Sequence, residues 1–371
     1  MKIVFTGGGS GGHFYPIIAV SEKINQIIDR ENIIGAKLYY ISDSPYDKEM
    51  LFENGILFEE VAVGKHLSQL PKILFGSINA LYKMFTIYPD VVFGKGGYAS
   101  FPAILAARIL RIPVVIHESD AVPGRVNKWA GRFAKKIAIS FEEAAEFFPK
   151  NSRKNIAWTG QPIRSAIMEP AFKKAALEFF KFESNLPTIL ILGGSQGAEL
   201  INNTVLDALP RLIKNYQIIH QTGVNNWQNI SGRADVVLTG NSNKLRYVSR
   251  AFLNPLELKM SSGAASLVVS RAGSALFEIA SWGLPAVLIP ITRTNMDHQR
   301  KNAFNYARAG ACTVIEEANM TGNIFASEVE RIIENKSVWN NMAASAKTFH
   351  KPDAAIKIAR ALVDMALSHE Q

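Results

Sequence analysis

The sequence predicts an α/β protein built from two doubly wound parallel sheets, and three observations carry that expectation. A β-branched run breaks into glycine twice, at Val4-Phe5-Thr6-Gly7-Gly8-Gly9-Ser10-Gly11-Gly12-His13 and again at Ile189-Leu190-Ile191-Leu192-Gly193-Gly194-Ser195-Gln196-Gly197-Ala198. Each run reads as a buried strand delivering a tight turn to a helix start, where backbone N–H groups and the positive end of the helix dipole face an anion. Strand-like and helix-like segments alternate through both halves, the pattern of a parallel sheet covered on two faces. At 371 residues the chain also exceeds the comfortable size of one core. Two such units imply an anion-binding cleft between two sheets.

In the first half, strands are expected at 2–6, 37–41, 91–93, 113–116, 136–139 and 155–158, with a short apolar segment at 56–62. Helices are expected at 14–30, 46–54, 69–87, 100–109, 124–133 and 142–147. Thr159-Gly160-Gln161-Pro162 marks a boundary, because Gly-x-Pro ends the preceding strand. The second half restarts with a strand at 187–192, a helix at 198–213 and strands at 217–220 and 235–238. Helix and loop follow over 244–262, then a strand at 265–269, a helix opening at Ser274, a strand at 285–289, a helix at 297–308 and a strand at 312–315. Amphipathic helices are expected at 324–335 and 353–368. The domains are therefore 1–161 and 162–350, with a terminal helix within 351–371 placed to pack back across the N-terminal domain.

Composition narrows the class. Hydrophobic residues at 48% and charged residues at 20% are ordinary for a folded protein. The single cysteine, Cys312, excludes an intrachain disulfide and a multi-cysteine metal site, favours a reducing compartment, and reads as a core residue. Met1-Lys2 leads straight into a strand, without the ordered regions of a secretory signal. No apolar stretch approaches the roughly 18 residues of a spanning helix, so a cytoplasmic chain is expected. Lys and Arg outnumber Asp and Glu by 41 to 32, and the resulting +9 favours anionic partners. The basic residues are dispersed and interleave with no aromatic motif, so nucleic acid is not the expected partner, although a basic nucleic-acid-binding protein is the alternative from another class.

Gly7-x-Gly9-x-x-Gly12 fits the dinucleotide fingerprint, but that motif wants an acidic residue about 20 positions on, and Asp43 arrives about 30 on. More specific is a set of further signals in order: Gly94-Lys95-Gly96-Gly97-Tyr98 after one strand, His117-Glu118 closing the next, and Asn127-Lys128 in the helix after Gly124. The second half adds the loop at 193–198, then Arg271-Ala272-Gly273-Ser274-Ala275 with Glu278, then Asp297-His298-Gln299 with Asn302-Ala303.

Over essentially its whole length the chain resembles the bacterial peptidoglycan glycosyltransferases of glycosyltransferase family 28. The resemblance implies a GT-B fold, two Rossmann-like domains facing across a cleft. It also implies inverting transfer of N-acetylglucosamine from UDP-N-acetylglucosamine, bound mainly by the C-terminal half. The implied acceptor is undecaprenyl-pyrophosphoryl-MurNAc-pentapeptide, bound mainly by the N-terminal half at the cytoplasmic face of an anionic membrane. Other cell-wall synthesis proteins are implied partners, and the implied location is peripheral, on the cytoplasmic side of the cell membrane. Another GT-B transferase using a UDP-sugar with a lipid or small-molecule acceptor is the nearest alternative. A UDP-N-acetylglucosamine epimerase would need several acid and base carboxylates around the sugar, which the motifs do not supply.

Such a transfer needs a base at the acceptor hydroxyl, positive potential at the leaving diphosphate and a grip on the nucleotide. His13, at the mouth of the first glycine loop, is the candidate base, and a helix N-terminus would keep its ring neutral. Thr6, Gly7, Gly8, Gly9, Ser10, Gly11 and Gly12 form a loop whose backbone N–H groups suit the acceptor's diphosphate. Ser195, Gln196 and Gly197 offer polar groups to the donor's α-phosphate and sugar. Arg164, at the boundary, suits the charge that develops on the departing diphosphate. Arg271, Gly273, Ser274 and Ala275 lead into a helix whose Glu278 can accept from both ribose hydroxyls. By resemblance, Gln299 and Asn302 belong to the donor sugar, Phe252 and Leu253 to backbone recognition of uracil, and Tyr98, Glu118 and Asn127 to the acceptor, with Glu118 among the catalytic groups. The plainer reading of each is a structural turn, cap or core residue.

No Asp-x-Asp pair or metal-ligand spacing stands out, so no metal site and no required cofactor are expected, with Mg²⁺ riding on substrate phosphates left open. Within residues 67–88, Leu70, Ile73, Leu74, Ile78, Leu81, Tyr82 and Phe85 recur at helical spacing beside Lys65, Lys72 and Lys83. That face suits either an anionic membrane surface or core packing.

Overall fold

The computed structural model describes residues 1–64, 69–194, 197–292 and 297–369. The chain forms two compact units, Met1–Arg164 together with Lys351–Gln371, and Ser165–His350. The first runs β1 (Lys2–Thr6), α1 (Gly11–Glu31), β2 (Lys37–Ser42), α2 (Lys48–Glu53), β3 (Ile56–Glu60), α3 (Leu70–Ile87), β4 (Val91–Gly94), α4 (Phe101–Ile109), β5 (Val114–Glu118), α5 (Arg125–Ala130), β6 (Lys136–Ile139) and β7 (Ile156–Trp158). The second runs α6 (Ser165–Met168), α7 (Lys173–Phe180), β8 (Thr188–Leu192), α8 (Glu199–Leu212), β9 (Gln217–Gln221), α9 (Trp227–Val237), β10 (Tyr247–Arg250), α10 (Pro255–Ala264), β11 (Ala265–Ser270), α11 (Ala275–Trp282), β12 (Ala286–Leu288), α12 (His298–Arg308), β13 (Cys312–Val314), α13 (Gly322–Glu334) and α14 (Lys336–Phe349). The last helix, α15 (Ala354–His369), belongs to the first unit.

Both sheets are parallel throughout and share one order, β3-β2-β1-β4-β5-β6-β7 and β10-β9-β8-β11-β12-β13. In each, the strand order reverses beside the first strand, and the crevice outside the carboxyl ends at that switch is where open α/β sheets bind ligands. The loops leaving β1 and β4 meet there in one unit, and those leaving β8 and β11 in the other.

Alternation along β1 sets the layers of the first unit. Ile3 and Phe5 enter the core shared with α1 and α15, and Val4 enters the opposite core with α3 and α4. Helix α15 lays Ile358, Ala359, Leu362, Val363 and Ala366 into the first of these layers, a stripe at helical spacing. In the second unit, Ile189 and Ile191 of β8 pack with Val205 and Leu209 of α8 and Val329 of α13.

Four local expectations are corrected. Residues 235–238 are not a strand: Ile230, Ala234 and Leu238 are buried at a four-residue repeat, while Val236 faces outward, so α9 wins over the β-branched composition. The strand is instead β10, hidden in the sequence because its four residues are all half-buried at the sheet edge. Residues 142–147 form a 3₁₀ helix. Residues 173–180 and 336–349, to which no element was assigned, are α7 and α14.

Helix α3 splits its apolar surface. Gly76, Ala80 and Met84 are buried, and a Cβ at Gly76 would strike the Ala62 carbonyl, so the helix backbone lies directly on that segment. Leu74, Phe75, Ile78, Tyr82 and Phe85 face outward, with Tyr82 68% and Phe85 65% exposed, while Ile73 and Leu81 are half-buried. Lys65, Leu67 and Ser68 lie outside the described residues, as does the Leu70 side chain. No helix among the described residues is long and apolar enough to cross a membrane.

Candidate active site

In the first unit the loops after β1, β4 and β5 converge on His13. The imidazole sits in the first turn of α1, where Ser10 is the N-cap residue with extended backbone. The Ser10 hydroxyl lies 3.1 Å from His13 Nδ1 and makes no capping bond to the helix backbone. From the other side comes the turn at Gly96 and Gly97, both with φ near +80° (83° and 79°). A Cβ at Gly97 would stand 3.4 Å from His13 Nε2, and one at Gly96 only 2.7 Å from Asn127 Nδ2, so positive φ and close approach both demand glycine here. Burial and then the Lys95 charge push the His13 imidazole down to about 4, with Asp120 opposing. The ring is neutral at pH 7.

The loop expectations divide. The Thr6 hydroxyl is fully buried and donates to the Ile41 carbonyl at 2.9 Å, and the Gly7 carbonyl accepts from Tyr40 Oη at 2.6 Å and Ser42 Oγ at 2.8 Å. Gly8 is buried, with Ser42 and Ala99 where its Cβ would be. Thr6, Gly7 and Gly8 therefore form the packed floor of the loop. Gly9 and Ser10 are exposed, and Gly11 and Gly12 open the first turn of α1. The Tyr98 ring lies against Gly9, whose Cβ would be 3.1 Å from it.

Glu118 is engaged within its own loop. Its carboxylate is buried and accepts from Asp120 N–H at 2.9 Å, Gly124 N–H at 3.1 Å and Asn127 Nδ2 at 2.9 Å, closing the loop between β5 and α5. Burial and Asp120 raise its proton affinity. Asn127 is spent similarly, its Nδ2 also reaching the His117 carbonyl, while its Oδ1 is buried without a hydrogen-bond partner among the described residues. Arg164 is 7% exposed and stacks its guanidinium over Tyr15, 3.9 Å from the ring centroid.

In the second unit the loops after β8 and β11 carry the donor-side candidates. Ser195 and Gln196 lie outside the described residues. Gly193 N–H donates to the Gln221 carbonyl at 3.0 Å, and Gly197, at φ 83°, precedes the start of α8, which has no side-chain cap. Ser274 precedes α11, likewise without a side-chain cap, and Glu278 is half-buried in its first turn. Among the described residues no atom lies within 4 Å of a Cβ built on Gly273, and its φ is not positive, so neither their packing nor backbone strain explains the glycine.

Arg271 and Asn302 hold this loop, and Gln299 holds the one after β12. Arg271 donates to the Ile289 carbonyl at 3.0 Å and pairs with Glu317 at 2.7 Å. Asn302, 1% exposed, donates to the Ala272 carbonyl at 3.1 Å, and Gln299 Oε1 accepts from Ile291 N–H at 3.2 Å. Phe252 is 42% exposed, but Leu253 is buried and its N–H donates to Gln221 Oε1 at 3.2 Å, so that backbone donor is already taken.

Residues 3–139 match the glycosyltransferase family 28 N-terminal domain and residues 188–358 the family 28 C-terminal domain. The UDP-N-acetylglucosamine--N-acetylmuramyl-(pentapeptide) pyrophosphoryl-undecaprenol N-acetylglucosamine transferase of Halothermothrix orenii is 34% identical over 378 residues, covering 99% of each chain. The chain belongs to glycosyltransferase family 28.

A transferase of the same description from Thermodesulfovibrio yellowstonii is 35% identical, over 96% of this family 28 chain and 97% of its own. The crystal structure of Acinetobacter baumannii MurG matches with a TM-score of 0.75 at 25% identity, over 98% of this chain and 99% of that one. The UDP-GlcNAc 2-epimerase of Neisseria meningitidis, at TM-score 0.71 and 16% identity over 98% of this chain and 100% of its own, shares the fold alone. The two Rossmann-like domains are thus those of a GT-B glycosyltransferase.

Sequence reasoning gave no role to a buried polar chain behind His13. Lys95 Nζ donates to Ser119 Oγ, which donates to Gln161 Oε1 at 2.7 Å, and Ser140 Oγ donates to the same oxygen at 2.9 Å. The available signal was a lysine set between glycines at a strand end in this family 28 sequence.

Proposed function

We propose that this family 28 enzyme transfers N-acetylglucosamine from UDP-N-acetylglucosamine to the C4 hydroxyl of MurNAc in undecaprenyl-pyrophosphoryl-MurNAc-pentapeptide, with inversion at the anomeric carbon. The observation that carries the chemistry is the position of the His13 imidazole, in the first turn of α1 at the mouth of the first glycine loop and 3.1 Å from the Ser10 hydroxyl. With Nδ1–H donating to Ser10 Oγ, Nε2 has its lone pair available. The acceptor oxygen attacks C1, its proton passes to Nε2, the C1–O bond to the diphosphate breaks and UDP leaves. The N-terminus of α8 and the backbone at Gly273 to Ala275 meet the donor's phosphates, with Glu278 on the ribose. Ser195 and Gln196 are part of the same donor grip, and Gln299 holds the sugar. Arg164 stabilises the departing diphosphate, and no resident metal is part of this reading. The outward face of α3 lies on the anionic cytoplasmic leaflet, where a polyprenyl acceptor is met.

The test is incubation with UDP-N-acetylglucosamine and a short-chain polyprenyl acceptor, with and without EDTA, reading UDP release and the disaccharide product. Product in both arms is expected, and its absence from the arm without EDTA sinks the proposal. His13→Ala is expected to bind donor while kcat falls about 100-fold or more. Wild-type turnover in that variant removes His13 as the base.

A further inference from the structure

Lys95 follows β4 directly, and its N–H donates to the Thr6 carbonyl at 2.8 Å, tying the second glycine turn to the end of β1. A Cβ at Gly7 would stand 3.0 Å from Lys95 Cβ and 3.7 Å from His13 Cβ, so both side chains leave the backbone beside Gly7. The lysine is 2% exposed, and its ammonium donates to the neutral Ser119 hydroxyl. Burying a cation is costly, and an apolar side chain of similar length would fill the same space without that cost. The position therefore calls for an explanation beyond packing.

We propose that Lys95 is a positioning residue for the transfer, one that sets a positive charge beside His13 and holds the 119–124 loop by its bond to Ser119. The proposal rests on the transferase reading above for its catalytic consequence, but not for the Lys95–His13 coupling itself. The charged and titratable groups facing the pair are Asp120 for His13, and Glu118, Asp120 and His117 for Lys95. Burial lowers the lysine to about 8, which leaves it charged at pH 7, where it disfavours a second positive charge nearby. Through Ser119 and Gln161 the same ammonium links the ends of β4, β5 and β6, because Ser140 shares the Gln161 oxygen and also approaches His117 Nε2 at 3.3 Å.

Lys95→Gln separates the two roles, since it keeps a donor for Ser119 and removes the charge, whereas Ser119→Ala keeps the charge and removes the bond. The His13 ring is followed by NMR titration of the histidine-labelled full chain without substrate. In Lys95→Gln its midpoint is expected to rise by about one pH unit, and in Lys95→Arg to stay near wild type. The acid limb of kcat/KM is expected to move up with it, and Ser119→Ala to raise the acceptor KM several-fold with the donor KM unchanged. An unmoved His13 midpoint in Lys95→Gln with a native amide spectrum overturns the proposal. Should Lys95→Gln not fold, Lys95→Met is read in the same way. A shifted midpoint in a protein that transfers no sugar upholds the coupling and overturns only the transferase reading.

Discussion

Asn127 Nδ2 donates to the Glu118 carboxylate at 2.9 Å and to the His117 carbonyl at 2.9 Å, so one buried amide joins α5 to the end of β5. Asn127→Asp replaces that donor with a second carboxylate, leaves two buried acceptors without it and sets like charges together. The expected loss is about 3 kcal/mol of stability, read by urea denaturation at neutral pH. A midpoint equal to wild type would mean that the amide does not hold the loop.

Gly273 and Gly96 are expected to respond oppositely to alanine. Gly273→Ala meets open space and an ordinary φ, so its melting curve should match wild type while donor affinity falls. Gly96→Ala forces φ +83° on an alanine and drives its Cβ into Asn127, which should cost more than about 1 kcal/mol. Calorimetric titration with UDP and thermal melts of both variants separate these outcomes. Unchanged UDP affinity in Gly273→Ala would remove the nucleotide from that loop.

The outward residues of α3 should matter for surface binding and not for folding. Phe75→Ser combined with Phe85→Ser removes two exposed rings and no core contact, so stability should change by less than about 0.5 kcal/mol. Sedimentation with vesicles rich in anionic lipid should fall several-fold. Full retention on those vesicles would place the membrane contact elsewhere.

Acid should unfold the chain partly through His220. Burial pushes this imidazole down to about 3, and its ring nitrogens lie 2.9 Å from Tyr247 Oη and 3.0 Å from Asn202 Oδ1. The folded value lies below the unfolded one of 6.5, so the unfolded chain binds more protons between them. Stability is therefore complete above pH 6.5 and is lost as pH falls toward 3, by about 2 kcal/mol at pH 5 from this group. Chemical denaturation at pH 7 and pH 5 should show that loss, and His220→Gln should remove a comparable share of it. An equal slope in the variant would assign the acid sensitivity to other groups.

Much of the fold was legible because parallel strands buried on both faces leave continuous β-branched runs, as in Val4 to Thr6 and Ile189 to Leu192, and because glycine marks where they turn. The edge strand β10 was not legible, since a half-buried edge imposes no such run, and 235–238 misled because β-branched residues suit an exposed helix face when the core takes Ile230, Ala234 and Leu238. The site was legible as loops rather than as roles. Sequence marks Thr6, Glu118 and Arg271 as polar residues at strand ends, where ligands gather. The hydrogen bonds of Thr6 to Ile41 and of Arg271 to Ile289 are made by segments remote in the chain, and that of Glu118 to Gly124 by the folding back of its own loop, which no residue pattern encodes.

The sequence by itself determined two Rossmann-like units, the glycine turns at their switch points and the histidine at the mouth of the first, because strand burial and helix starts are written in residues a few positions apart. Tertiary structure alone decided which polar side chains hold loops together. It also decided that Lys95 lies buried beside Gly7 and His13, and which face of α3 is left uncovered. These outcomes depend on groups brought together across the sheet, where desolvation and hydrogen-bond partners are set by neighbours remote in the chain.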